Sequence, residues 1–136
     1  MLIHVYSYIG TALVFLALDS VWLSTMASRL YRPLIGPMLA PTFSVGAAAT
    51  FYFLYVAGIV VFAVAPALAA GRWQTALLLG AFFGLVAYGT YDLTNQATLK
   101  DWPVMLTVVD LMWGTVVTGS AATGGFFFAR WMAKTF

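Results

Sequence analysis

The residues best suited to chemistry in this chain are its aspartates, because they are its only acidic residues. A carboxylate can act as a general acid or base, and hard divalent cations prefer oxygen ligands. The lack of cysteine and the single histidine, His4, exclude iron–sulfur clusters and multi-histidine haem or zinc sites within one chain. We predict three aspartates as the catalytic and metal-binding candidates, with Mg²⁺ or Ca²⁺ as the natural cofactor: Asp19, Asp92 and Asp110.

The elements that must position these aspartates are membrane-spanning helices. Hydrophobic residues make up 63% of the 136 residues and charged residues 7%, whereas a soluble domain has about 25% charged residues. The net charge of +2 leaves too few cations for a nucleic-acid surface. A spanning helix needs about 20 mostly apolar residues. The sequence therefore predicts a single all-α integral membrane domain over residues 1–136, with four transmembrane helices at Val5–Leu23, Val45–Ala67, Thr75–Leu93 and Val104–Ala129.

The longest connection is predicted between the first two helices, over Ser24–Ser44. It contains Pro33, Pro37 and Pro41, and a proline inside a helix removes a hydrogen bond and clashes with the preceding turn. We therefore expect this proline-rich connection to form a short segment that lies on the membrane interface or dips into it, rather than a regular helix.

Four spans place every aspartate on the same side of the membrane. Asp19 and Asp92 lie near the ends of two helices that run in the same direction, and Asp110 lies near the start of the antiparallel fourth helix. An aspartate at the centre of a membrane helix costs roughly 2.5–3.5 kcal/mol and usually marks a functional site. Polar, cationic and aromatic residues near these aspartates are candidates for substrate binding: Tyr88, Asn95, Lys100, Trp22, Trp113, Arg29 and Arg32.

A purely structural alternative stays open, because aspartates near helix ends can pair with Arg29, Arg32 or Lys100 and hold the bundle together. The orientation is also open. Each side of the membrane carries three cations, and so balanced a distribution is typical of a dual-topology protein as well.

The sequence Asp-x-x-Trp occurs twice, at Asp19–Trp22 and Asp110–Trp113. An inverted repeat would place its two copies on opposite faces of the membrane, whereas these two are expected on the same face. We interpret their repetition as coincidence.

Small residues are concentrated in the fourth helix, and they allow a neighbouring helix to approach closely. These residues are Gly114, Thr118, Ala121, Ala122, Gly124 and Gly125. They are candidates for packing within the bundle or for docking a second subunit.

Two stretches of the sequence, 91–103 (YDLTNQATLKDWP) and 107–114 (TVVDLMWG), resemble the signature of a bacterial membrane family, domain of unknown function 2177 (DUF2177). Residues 18–23 (LDSVWL) resemble the first-helix motif of that family. The resemblance implies a small multi-spanning membrane protein and assigns no activity. It implies importance for six residues that lie in these stretches: Asp19, Asp92, Asn95, Lys100, Asp101 and Asp110.

Three functional hypotheses follow for a multi-pass protein of the bacterial inner membrane. The first is a protein that binds or modifies lipid or another amphiphile, because the aspartates are expected just below one interface, where headgroups lie. The second is a small proton- or cation-coupled transporter that works as an oligomer. The third is a non-catalytic subunit of a membrane complex. A homodimer is compatible with each hypothesis, and whether the protein is an enzyme is left open.

Overall fold

The computed structural model describes residues 1–136 and confirms an all-helical fold without strands. Its elements are α1 (Leu2–Met26), a π-helical turn (Ala27–Tyr31), α2 (Arg32–Ile35), a 3-10 turn (Gly36–Met38), α3 (Val45–Ile59), a second π-helical turn (Val60–Val64), α4 (Ala65–Ala70), α5 (Trp73–Thr98) and α6 (Val104–Thr135). They form four continuous spans, each long and apolar enough to cross a membrane: Leu2–Met38, Val45–Ala70, Trp73–Thr98 and Val104–Thr135. We call the half of the bundle next to the connections at residues 39–44 and 99–103 the acidic half.

The first span differs from the sequence prediction, because the helix continues through the region expected to be an irregular connection. α1 passes directly into the π-helical turn and α2, and the helical chain ends at Met38. At 1.5 Å per residue, its 37 residues extend over roughly 55 Å, which exceeds the hydrocarbon core of about 30 Å. The proline-rich segment is therefore an extension of the first helix, followed by a loop at residues 39–44.

A π-helical turn precedes a proline in each of the first two spans. The turn at Ala27–Tyr31 ends two residues before Pro33, and the turn at Val60–Val64 ends two residues before Pro66. Proline cannot donate a hydrogen bond to the preceding turn, and its ring pushes that turn away. The wider π-helical turn accommodates this disturbance, so the helix continues where the sequence predicted an interruption.

Small residues allow α6 to pack tightly against α5 on one side and α1 on the other. A Cβ at Gly84 of α5 would collide with the carbonyl oxygen of Gly114 and with Thr118. Equally close approaches occur at Gly80 with Ala122, Gly10 with Phe128, Gly124 with Val14 and Gly125 with Thr11. The small-residue face predicted from the sequence thus packs against helices of the same chain.

The extension of the first span covers the acidic half of the bundle. Leu30 and Ile35 pack against Trp102 and Leu106, at the connection that leads into α6 and in the first turn of that helix. This small apolar cluster holds the extension over the aspartates. It also places Tyr31, which belongs to the π-helical turn, within reach of α6.

Candidate functional site

Asp19 is a buried carboxylate on α1 whose hydrogen-bond partners come from two other spans. Its Oδ2 atom accepts a hydrogen bond of 2.7 Å from the hydroxyl of Tyr52 on α3. Its Oδ1 atom accepts a hydrogen bond of 3.4 Å from the indole nitrogen of Trp113 on α6. Both donors are neutral groups. The negative charge of Asp19 is therefore stabilised by hydrogen bonds and not balanced by a cationic side chain.

The two Asp-x-x-Trp sequences pack against each other, which gives their repetition a structural role. In each sequence the tryptophan follows the aspartate by three residues, which is about 4.5 Å along a helix. Because α1 and α6 are antiparallel, this displacement has opposite directions in the two helices. Each tryptophan consequently lies level with the aspartate of the other helix. The indole rings of Trp22 and Trp113 stack with their centroids 4.4 Å apart and their planes 6° apart.

Asp110 is connected to the same tryptophan pair through Tyr31. The indole nitrogen of Trp22 donates a hydrogen bond of 3.0 Å to the Tyr31 hydroxyl, which in turn donates one of 2.6 Å to Oδ1 of Asp110. Asp19 and Asp110 are thus linked through two tryptophans and a tyrosine. The polar groups of α1, the π-helical turn, α3 and α6 form one network around the carboxylates.

Asp92 lies on α5 and is the most isolated polar side chain of the site. It is 0% exposed, and neither of its carboxylate oxygens has a hydrogen-bond partner. The carboxyl group of Asp110 lies next to its own. Two adjacent carboxylates repel each other unless they share a proton or a cation. The burial of Asp92 beside Asp110 is therefore costly unless the two carboxyl groups share a proton or a cation.

Two adjoining cavities open around Asp110. The smaller one has a volume of about 390 Å³ and is lined by Asp19, Asp110 and a majority of aromatic residues. The larger one has a volume of about 1130 Å³ and runs along the extension of the first span and the 39–44 loop, where most of its walls are apolar. Four residues line both cavities: Leu23, Tyr31, Tyr91 and Asp110. Together they form a recess with an acidic, aromatic part and an apolar part.

Most of the residues predicted for substrate binding lie at this recess. Trp22, Tyr88 and Trp113 line the smaller cavity, and Arg32 lines the larger one. Three predicted residues do not line either cavity: Arg29, Asn95 and Lys100. Arg29 and Lys100 are exposed. The structural alternative, in which aspartates pair with basic residues, does not describe this arrangement, because the donors to Asp19 and Asp110 are tyrosine and tryptophan.

The structure does not gather the three aspartates into one metal-binding group. No group of three or more His, Cys, Asp or Glu side chains is placed to hold a metal ion. The oxygens of Asp19 are occupied by Tyr52 and Trp113, whereas Asp92 lies next to Asp110. The arrangement therefore does not meet the requirements of the Mg²⁺ or Ca²⁺ site predicted on Asp19, Asp92 and Asp110.

Tyr31 and Tyr52 are site residues that sequence reasoning missed. Tyr31 falls in the segment that the sequence predicts to be an irregular interfacial connection, and the second predicted helix contains no acidic residue that would indicate a site. Tyr52 could have been found by counting how many residues separate it from the end of its helix. It lies seven residues from the start of α3, while Asp110 lies six residues from the start of α6 and Asp92 six from the end of α5. These three helix ends belong to the acidic half, so the residues lie at similar depths.

We expect the substitution Tyr52→Phe to lower the free energy of unfolding by about 2 kcal/mol, because it removes a hydrogen bond to a buried carboxylate. Chemical unfolding in detergent, followed by circular dichroism, measures this change. Tyr8→Phe is the matched control, since the Tyr8 hydroxyl donates to the neutral carbonyl of Phe53 at an exposed position. Its cost should stay below about 1 kcal/mol. Equal losses in both variants would contradict a special role for Tyr52.

These features define a four-span helical membrane protein with a buried cluster of aspartates and aromatic residues in one half of the bundle. The chain belongs to the family described as "Predicted membrane protein (DUF2177)", which it matches over residues 4–127. This confirms the resemblance seen in the sequence. Comparison with curated proteins and with solved structures gave no match.

Proposed function

We propose that this protein binds a membrane amphiphile in the recess of its acidic half, and that this amphiphile is a lipid. The observation that carries the proposal is the junction of an acidic, aromatic cavity with a larger apolar one at Tyr31 and Asp110. A molecule with a polar head and an apolar chain matches both parts. Ligand sites usually have volumes of about 300–1,000 Å³ and combine apolar walls with a few polar groups.

The position of the recess in the bundle supports a ligand that comes from the bilayer. The larger cavity is bounded by the exposed apolar side chains of Leu39 and Phe43, which lie at the end of the first span and in the loop that follows. We propose that an acyl chain enters the recess between these two residues. We place the protein in the bacterial inner membrane, where it acts alone or as a homodimer.

A second candidate is a proton- or cation-coupled transporter, and it is favoured by Asp92. A carboxyl group that is fully buried and lacks a partner is suited to take up and release a proton or cation. One chain of four spans would need an oligomer to enclose a path across the membrane.

Photo-crosslinking tests the amphiphile proposal. The protein is reconstituted with a phospholipid that carries a diazirine on its acyl chain, and the labelled residues are mapped by mass spectrometry. We expect labelling of Leu39 and Phe43 to fall at least about fivefold when unlabelled phospholipid with the headgroup of the probe replaces part of a bulk lipid of different headgroup, at constant total lipid, because it competes for a specific site. Leu78 and Phe82, exposed apolar residues of α5 that line neither cavity, should keep their labelling, since the mole fraction of the probe in the bilayer does not change.

The outcome that would contradict the proposal is equal behaviour of the two groups of residues. If the labelling of Leu39 and Phe43 stays as constant as that of Leu78 and Phe82 when the unlabelled phospholipid is introduced, the recess does not bind that phospholipid in preference to the bulk lipid. A filled recess gives a further check. Ala40→Trp places a large side chain in the larger cavity and should remove the competed part of the labelling.

A further inference from the structure

We infer that the smaller cavity binds a positively charged nitrogen headgroup, a quaternary ammonium or a protonated amine, attached to an apolar chain. The inference rests on the proposed function and specifies the class of ligand. It depends on two features of the cavity wall: its aromatic side chains and its carboxyl groups, which have no cationic partner.

The aromatic side chains of the wall form the first argument. Seven of the eleven residues that line the smaller cavity are aromatic, among them the stacked pair Trp22 and Trp113. The faces of aromatic rings carry partial negative charge and attract cations within about 6 Å of the ring centre. Cavities walled by several such rings are a known solution for binding quaternary ammonium groups, which cannot donate hydrogen bonds.

The charge of the cavity is the second argument. Asp19 and Asp110 both line it, and no lysine, arginine or histidine does. Their hydrogen bonds come from Tyr52, Trp113 and Tyr31, which stabilise the carboxylates without neutralising them. A third carboxyl group, that of Asp92, lies next to Asp110. A cationic headgroup would supply the missing positive charge, whereas an anionic one would be repelled.

The larger cavity determines where the rest of the ligand lies. It shares Tyr31 and Asp110 with the smaller cavity, so a chain attached to the bound nitrogen continues along apolar walls. Arg32 is a wall residue of this larger cavity and the one basic residue of the recess. Two sources supply the shared chemistry: a zwitterionic phospholipid, and a free amphiphilic amine.

A titration with four probes that share a dodecyl chain tests the inference. They are dodecyltrimethylammonium, dodecylphosphocholine, dodecyl sulfate and dodecyl maltoside. The protein carries Trp73→Phe and Trp131→Phe, which remove two exposed tryptophans that lie outside the recess, so that most of the remaining fluorescence comes from the acidic half. We expect dodecyltrimethylammonium to bind at least about tenfold more tightly than dodecyl sulfate or dodecyl maltoside.

The result with dodecylphosphocholine distinguishes the two sources. Affinity within about threefold of dodecyltrimethylammonium favours a zwitterionic phospholipid, because Arg32 then tolerates or binds the phosphate. Weaker binding favours a free amine. Both results support a cationic headgroup.

Two matched aspartate variants test whether the preference for the cationic probe arises in the smaller cavity. Asp110→Asn should reduce the preference for the cation at least about fivefold, because it removes a charge from the cavity wall. Asp101→Asn removes the same charge from an exposed connection and should leave the preference unchanged. An equal loss in both variants would assign the preference to net charge and overturn the inference.

The failures of the two proposals are distinguishable. Saturable binding of all four probes with similar affinity, or a preference for dodecyl sulfate, overturns the cationic headgroup and leaves amphiphile binding intact. Absence of saturable binding for all four probes overturns both. The titration of the protein with its native aspartates is decisive even if an aspartate variant fails to fold.

Discussion

Replacing Gly84 by alanine is expected to cost about 3 kcal/mol of unfolding free energy, at the upper end of the range for overpacking. The added Cβ would collide with the backbone carbonyl of Gly114, and a backbone atom cannot turn away as the end of a flexible side chain can. It would also strike Thr118, whose hydroxyl shares a hydrogen bond of 2.8 Å with Tyr55. α5 and α6 must then separate, and Tyr88, which packs against Gly114, would leave the wall of the smaller cavity.

Gly89→Ala is the control for this prediction, because it makes the same chemical change on the same helix. Its Cβ would meet only Leu93 at 3.6 Å, an ordinary contact. Since alanine is favoured over glycine in a helix by up to about 1 kcal/mol, this variant should be neutral or more stable than the unaltered protein. Thermal unfolding in detergent compares the two. Equal stability of both variants would show that α5 and α6 are less closely packed than the structure indicates.

Asp92→Asn is expected to change the free energy of unfolding with the opposite sign. The variant should gain about 2 kcal/mol of unfolding free energy, because it replaces a buried carboxyl group beside Asp110 by an amide, which cannot ionise and therefore cannot repel the neighbouring carboxylate. Residues that reduce stability are typically retained for function. In the transporter candidate, the same variant should lose proton-coupled uptake while it gains stability.

Asp101→Asn serves as the control for Asp92→Asn. Asp101 is exposed and has a φ of 61°, a conformation that asparagine also adopts, so its stability should change by less than about 0.5 kcal/mol. Both variants are measured by unfolding in the same detergent. A loss of stability in Asp92→Asn would mean that the carboxyl group of Asp92 has a stabilising partner in the membrane, such as a bound cation.

The number of spans and the half of the bundle that holds the aspartates could be predicted from the sequence, because both depend only on the order and length of apolar segments along the chain. The length of the apolar segments gives the number of spans, and their alternating direction places Asp19, Asp92 and Asp110 in the same half. The predicted starts of the second and fourth spans, Val45 and Val104, agree with the structure.

The details of the site depend on how helices are rotated and on local changes of helix type, which the apolar pattern does not specify. The helical path of residues 27–38 depends on a π-helical turn that offsets Pro33. The separation of Asp19 from the pair Asp92 and Asp110 depends on the direction of each side chain. Hydropathy cannot distinguish three carboxyl groups that meet at one point from an arrangement in which Tyr52 and Trp113 hold Asp19 while Asp92 lies next to Asp110.

The π-helical turn at Ala27–Tyr31 also bears on how this protein tolerates mutation. Such a turn is in effect an α-helix with one residue inserted, and each residue rotates a helix by about 100°. The direction of Tyr31 towards Asp110 thus depends on the number of residues before it as well as on their identity. Substitutions in this stretch leave the rotation of the helix at Tyr31 unchanged. Deletion of a single residue would rotate Tyr31 away from α6. The amino-acid sequence of this segment can therefore vary more freely during evolution than its length.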